Sequence, residues 1–78
     1  MSWVEADADG VVEWERSDGY ATIRLRERHD GSWAVRLDRL FQAPEGQLYR
    51  RETAPTETAA RAVVERWQTE FDVEEPAA

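Results

Sequence analysis

Glycine-bearing turn signals cut this chain into pieces too short to stand as helices: SDG at 17–19, HDG at 29–31 and APEG at 43–46. The pieces between them are Val11–Arg16, Tyr20–Arg28, Ser32–Gln42 and Gln47–Thr53. Each alternates apolar with polar residues, the period of a strand buried on one side only. The period then changes. In TAPTETAARAVVERWQTEF, Ala60, Val63, Val64, Trp67 and Phe71 recur at the i, i+3, i+4, i+7, i+11 spacing of one helix face. Thr56 is the expected N-cap, Pro55 precedes it, and Glu57 suits the positive start of a helix. Glu57 with Arg61, and Arg66 with Glu70, stand four apart on the other side as expected ion pairs. Burying Val63, Val64, Trp67 and Phe71 on a sheet contributes roughly 6–12 kcal/mol before conformational entropy is subtracted. The expected fold is α+β: an antiparallel β-meander of three or four strands with one C-terminal amphipathic helix packed on one face.

The alternation also predicts how the strands pair. Ile23 and Leu25 point one way, and Thr22, Arg24 and Arg26 the other. A two-residue type I′ turn at Asp18-Gly19 sets Trp14 opposite Ile23, Val12 opposite Leu25, and Glu13 across from Arg24. For Trp33, Val35 and Leu37 to meet that apolar face, His29-Asp30-Gly31 must be a three-residue loop closed by a left-handed glycine. Leu25 then faces Val35, and Ile23 faces Leu37. Beyond Asp38 the adjacent Leu40 and Phe41 break the alternation, a place for a bulge, and the register of the fourth strand stays open.

Residues 1–10 read as an acidic N-terminal segment, 11–72 as the single domain, and 73–78 as a disordered acidic tail. Trp3 and Val4 either extend the sheet or pack over its edge, and DADG at 7–10 reads as a loop. The chain has 78 residues, near the size where one core only just suffices; four Trp, two Tyr and two Phe compensate. The absence of Cys removes disulfides, thiolate chemistry and Cys-based zinc sites together. No segment approaches the roughly 20 apolar residues of a membrane span, so no membrane is expected. The opening MSWVEADADG lacks the basic and apolar regions of a secretory signal, and the cytoplasm is the expected compartment.

Charge is the unusual feature. Seventeen acidic residues oppose ten basic ones, all ten are Arg, and the formal net charge is -7. Dense surface carboxylates keep a protein hydrated in concentrated salt, which in turn screens their repulsion. MSW, DGYATIRLR, GSWAVRLDRL and ERW, read with that composition, resemble small acidic proteins of haloarchaea that have no known activity. The resemblance implies a halophilic habitat and no mechanism.

Arg24, Arg26, Arg28 and Arg36 fall on the sheet face opposite the helix, with Arg50 or Arg51 joining them according to register. A basic sheet face followed by TETAARAVVERW, with Thr56, Ala59, Ala60 and Trp67, is similar to two DNA-reading architectures. These are the plant ethylene-response-factor domain and the arm-type domain of tyrosine recombinases. The similarity implies DNA contacts from Arg24, Arg26 and Arg36. Against it, Glu13, Glu15, Asp38 and Glu52 are expected among the arginines, so cross-strand Glu–Arg pairs account for the pattern without a ligand. Phosphate binding also draws on counterion release, which fades as salt rises.

No other constellation carries chemistry. His29 sits at a turn tip with neither nucleophile nor Cys beside it. DADG lacks the later oxygen ligands of a calcium loop. No catalytic residue, metal site, cofactor or small-molecule substrate is expected, and the chain is read as no enzyme. Trp14, Trp33 and Trp67 occupy inward positions, while Trp3, Tyr20, Leu40, Phe41, Leu48 and Tyr49 exceed what one helix can cover. A partner protein or a second copy is therefore expected. The expected function is a small non-enzymatic interaction module of a halophilic cytoplasm, protein-binding or self-associating. The alternative is a nucleic-acid-associated domain using the Arg-bearing face. Habitat is tested by thermal unfolding against KCl: the melting temperature is expected to climb from dilute buffer to molar salt, and indifference to salt overturns the halophilic reading.

Overall fold

A computed structural model describes residues 3–40, 43 and 46–71. The strands β1 (Trp3–Ala8), β2 (Val11–Arg16), β3 (Ala21–Glu27), β4 (Trp33–Arg39) and β5 (Leu48–Ala54) precede one helix, α1 (Glu57–Glu70). They form a single antiparallel meander in the order β1-β2-β3-β4-β5, and α1 lies across β3, β4 and β5. The α+β class and the C-terminal helix are as expected; the sheet has five strands, not three or four.

The additional strand is β1, drawn from the segment expected to lead into the domain. Trp3 and Val4 do join the sheet, and of DADG only Asp9-Gly10 is a turn, because Asp7 and Ala8 pair with Val12 and Val11. Asp9 (φ 50) and Gly10 (φ 76) both take the left-handed conformation that a two-residue type I′ hairpin requires. Asp tolerates that region better than most residues, and Gly without penalty. This Asp-Gly ahead of the alternating β2 is the sequence feature that marks the hairpin.

The two predicted registers hold. Trp14 pairs with Ile23, Val12 with Leu25 and Glu13 with Arg24; Leu25 pairs with Val35 and Ile23 with Leu37. The turn chemistry of the first differs. Gly19 has positive φ but Asp18 does not, so the Ser17–Tyr20 connection is no type I′ turn. Instead the Gly19 N–H donates to the Arg16 carbonyl at 2.8 Å, and the Asp18 carboxylate accepts from the Tyr20 N–H at 3.0 Å. The side chain replaces what the backbone would have supplied. Pairing of β4 with β5 runs unbroken from Trp33↔Ala54 to Arg39↔Leu48, and the bulge expected at Leu40 and Phe41 falls past it. Phe41 and the expected tail at 73–78 lie outside the described residues.

Ile23, Leu25, Val35 and Leu37 are fully buried beneath Ala60, Val63, Val64 and Trp67. Thr56 caps α1, its hydroxyl accepting from the Ala59 N–H at 3.2 Å. Glu57 and Arg61 pair at 2.9 Å as expected. Arg66 and Glu70 do not pair with each other: Arg66 meets Glu52 at 2.6 Å and Glu70 meets Arg50 at 3.2 Å. The reason is β5, whose Leu48 and Ala54 face the helix and carry Arg50 and Glu52 to the same side.

At its other end α1 has no basic residue in its last turn, and the sheet supplies what is missing. Arg16 is 1% exposed. Its guanidinium donates to the Phe71 carbonyl at 3.0 Å and to the Asp18 carboxylate at 2.9 Å. Trp3, the residue paired with Arg16 across β1 and β2, donates its indole N–H to the Gln68 carbonyl at 3.0 Å. Terminal carbonyls left without intrahelical partners thus receive a cation and an indole. Partial burial pushes the Asp18 carboxyl up, but the Arg16 hydrogen bond, the Tyr20 N–H and the Arg16 charge together hold it below its ordinary value near 3.8. A depressed carboxylate stabilises the fold at pH above the ordinary value, and that contribution is lost as pH falls through the lowered one. Chemical unfolding between pH 7 and pH 2 is expected to show this loss below about pH 4, and Asp18→Asn is expected to remove it. Arg16→Leu at pH 7 is expected to cost about 1.5–3 kcal/mol in the same measurement.

Candidate functional site

The face of the sheet turned away from α1 is laid out by strand alternation. β2 contributes Glu13 and Glu15, β3 Thr22, Arg24 and Arg26, β4 Ala34, Arg36 and Asp38, and β5 Tyr49, Arg51 and Thr53. Register turns this into rows. Glu13, Arg24, Arg36 and Arg51 are successive partners in one row. Arg26, Ala34 and Thr53 form the next on one side, and Glu15, Thr22, Asp38 and Tyr49 the next on the other.

Ala34 is the centre of the arrangement. Arg26 is its neighbour across β3, Arg36 follows two residues along β4, and Arg24 and Arg51 stand diagonally from it. Directly opposed Cβ atoms are about 4.5–5.5 Å apart and diagonal ones about 7–8 Å. A methyl group encircled by four long side chains leaves a hollow, and a basin of ≈ 260 Å³ is lined by Arg24, Arg26, Ala34, Arg36 and Arg51. Arg24 meets Glu13 at 3.2 Å, with both side chains nearly half exposed. Arg26, Arg36 and Arg51 make no ion pair among the described residues.

Three of the arginines expected on this face, Arg24, Arg26 and Arg36, therefore converge on one basin. The fourth, Arg28, lies just past the end of β3 and lines an adjoining hollow with Arg26, His29, Asp30 and Arg51. Of the pair left open, Arg51 faces outward and Arg50 inward. Arg50 stacks over the Phe71 ring, its guanidinium carbon 4.8 Å from the ring centre. Glu52, expected among the basic residues, is on the helix side with Arg66. The expected ladder of Glu–Arg pairs is thus confined to Glu13 and Arg24, and the arginines of β3, β4 and β5 form a positive island. The apolar Leu48 and Ala54 carried the signal for this, since their common parity sends Arg50 and Glu52 inward and Arg51 outward.

Chemically, the island is a set of cationic hydrogen-bond donors with no acceptor on any of the four guanidinium groups. Its planar forks suit oxoanions, which take two parallel N–H donors at once. His29 is exposed at the turn, and Ser32 hydrogen bonds, from the hydroxyl at 2.6 Å and the N–H at 3.0 Å, hold the Asp30 carboxyl below its ordinary range. That carboxylate organises the turn. Asp7 lies in β1 and Asp9 in its hairpin turn, and no cluster of three His, Cys, Asp or Glu side chains suited to a metal ion occurs among the described residues. Nor is any helix among them long and apolar enough to cross a membrane.

Like charges directly opposite across strands are destabilising by a fraction of a kcal/mol, so an unoccupied Arg24–Arg36–Arg51 row works against the fold. Arg36→Thr is expected to raise stability by about 0.2–1 kcal/mol in urea unfolding at low salt. The gain is expected to vanish in molar KCl, where the Debye length is about 3 Å.

Neither a curated protein nor a solved structure matches the chain. A family of unknown function does, over residues 1–70. A match over nearly the whole chain takes in all five strands and the helix of the fold that builds the basin, and the chain belongs to that family, DUF7543.

Proposed function

We propose that the chain is a small non-enzymatic interaction module of a high-salt cytoplasm that docks an acidic surface of a partner protein on its open sheet face. The observation that carries this reading is the Arg24–Arg36–Arg51 row with Arg26 beside it. In a chain of net charge -7, clustering so many of the cations on one face has an energetic cost that an anionic partner offsets. Opposite-charge contact fixes register and orientation of a partner more than it adds raw affinity. At high salt only close, bidentate contacts keep their strength, and Arg makes them better than Lys does.

The same arginines would serve a nucleic acid, but the strands bring only one aromatic, Tyr49, to the open face. A single ring makes a poor platform for successive bases. The acidic side chains Glu13 and Glu15 on the β2 half of the face also make a second copy a conceivable acidic partner, a case sedimentation separates from docking of another protein.

The test is retention on immobilised poly-glutamate and, in parallel, on single- and double-stranded DNA, at 0.2 and 2 M KCl. The wild-type chain is expected to be retained by poly-glutamate, and the Arg26→Glu, Arg36→Glu double variant to lose at least about tenfold in affinity, which corresponds to 1.4 kcal/mol. Preferential retention on DNA with a steep salt slope overturns the protein-binding reading. Equal behaviour of wild type and variant overturns the assignment of the face.

A further inference from the structure

We infer that the basin over Ala34 is a site for a phosphate monoester carried by a side chain of the partner, an inference that rests on the reading of the open face as a protein-docking surface. Three features select this chemistry over a simple carboxylate. The first is charge. Arg24, Arg26, Arg36 and Arg51 line the basin, and one carboxylate, Glu13, is bound to one of them. The local excess is three positive charges, which a single carboxylate leaves largely uncompensated. A phosphate monoester carries about -1.5 to -2 at neutral pH.

The second is direction. Strand register sets the four arginines around Ala34, with Arg26 opposite it on β3, Arg36 two residues along β4, and Arg24 and Arg51 on the diagonals, and all four line the basin. A carboxylate is planar and takes one fork-to-fork pair, whereas the three terminal oxygens of a phosphate ester point three ways and receive donors on three sides. Thr53, the partner of Ala34 in β5, carries a hydroxyl on the same face of the sheet, next to the basin.

The third is size. The basin of ≈ 260 Å³ lies just below the range of small-molecule pockets, about 300 to 1,000 Å³, so by itself it suits a single charged group. Beyond its rim the β2 half of the face turns acidic with Glu13 and Glu15, and the far row holds Asp38. A nucleic-acid backbone leaving the basin towards β2 or towards the Asp38 row would run over those carboxylates. A lone phosphate on an otherwise neutral peptide meets only the arginines.

The experiment uses the full chain at 0.2 M KCl, with the Ala34 methyl and Thr53 amide resonances followed by NMR. Four probes are titrated: a five-residue Gly/Ser peptide with one central phosphoserine, the same peptide with Glu in its place, the unphosphorylated peptide, and adenosine monophosphate. The phosphoserine peptide is expected to shift both resonances saturably and to bind at least tenfold more tightly than the Glu peptide. Arg36→Gln with Arg51→Gln is expected to abolish that preference while thermal unfolding stays at or above the wild-type temperature. Equal binding of phosphoserine and Glu peptides, with poly-glutamate still retained, overturns the phosphate inference and leaves the acidic-partner reading standing. Adenosine monophosphate binding as tightly as the phosphopeptide overturns the side-chain source. Failure of every probe, poly-glutamate included, overturns both.

Discussion

A guanidinium with almost no access to water ties the end of the helix to the sheet. Arg16 reaches from the inner face of β2 to the Phe71 carbonyl at the end of α1, and its other side grips Asp18 in the following turn. A buried charge is tolerated only when its donors are satisfied. Satisfying this one sets three things together: the conformation of the 17–20 connection, the depth to which the C-terminal turn of α1 settles, and the place of Trp3 beside it. Trp3 is paired to Arg16 across the sheet and bonds the neighbouring carbonyl of Gln68. The helix is thus held over β3, β4 and β5 by apolar packing along its length, and at its end by polar groups from β1 and β2.

That placement divides the arginines by function. On the inner face each has a partner the fold provides: Arg50 has Glu70 and the Phe71 ring, and Arg39 bonds the Gly46 carbonyl at 2.7 Å. These side chains lay apolar stems along the core while their charges are answered at its margin. On the outer face Arg26, Arg36 and Arg51 have no such answer among the described residues. Residues of one type, within one sheet, are fasteners on one side and an open surface on the other. The difference lies in whether a helix covers them.

The surplus of carboxylates is the background to this contrast. In a chain of net charge -7, a positive island is a local inversion of the overall charge, and an anionic partner would find its complement there. The island is small, hollowed over Ala34, and bounded by Glu13 and Glu15 of β2 on its acidic side.

Periodicity and turn chemistry were legible residue by residue. The period-two runs, the 3.6-period helix face, the Thr56 cap and the pairing of β2 with β3 and of β3 with β4 followed from which side chains must leave water. A slip of one residue would have turned every apolar side chain outward. What escaped had a weaker local signature. β1 carries Glu5 and Asp7 on the same side as Trp3, so it lacks the apolar alternation of the other strands and only the Asp9-Gly10 turn announced it, and Arg16 gave no sign of burial beyond sharing the parity of Val12 and Trp14. Membership of the outward arginines Arg24, Arg26 and Arg36 in one face was set by alternation within each strand, which is local. Their convergence with Arg51 around Ala34 was decided only when β4 and β5 paired, because register between strands depends on contacts distant in sequence. The single-strand pattern determines which way a side chain points, and only the assembled sheet determines what stands next to it.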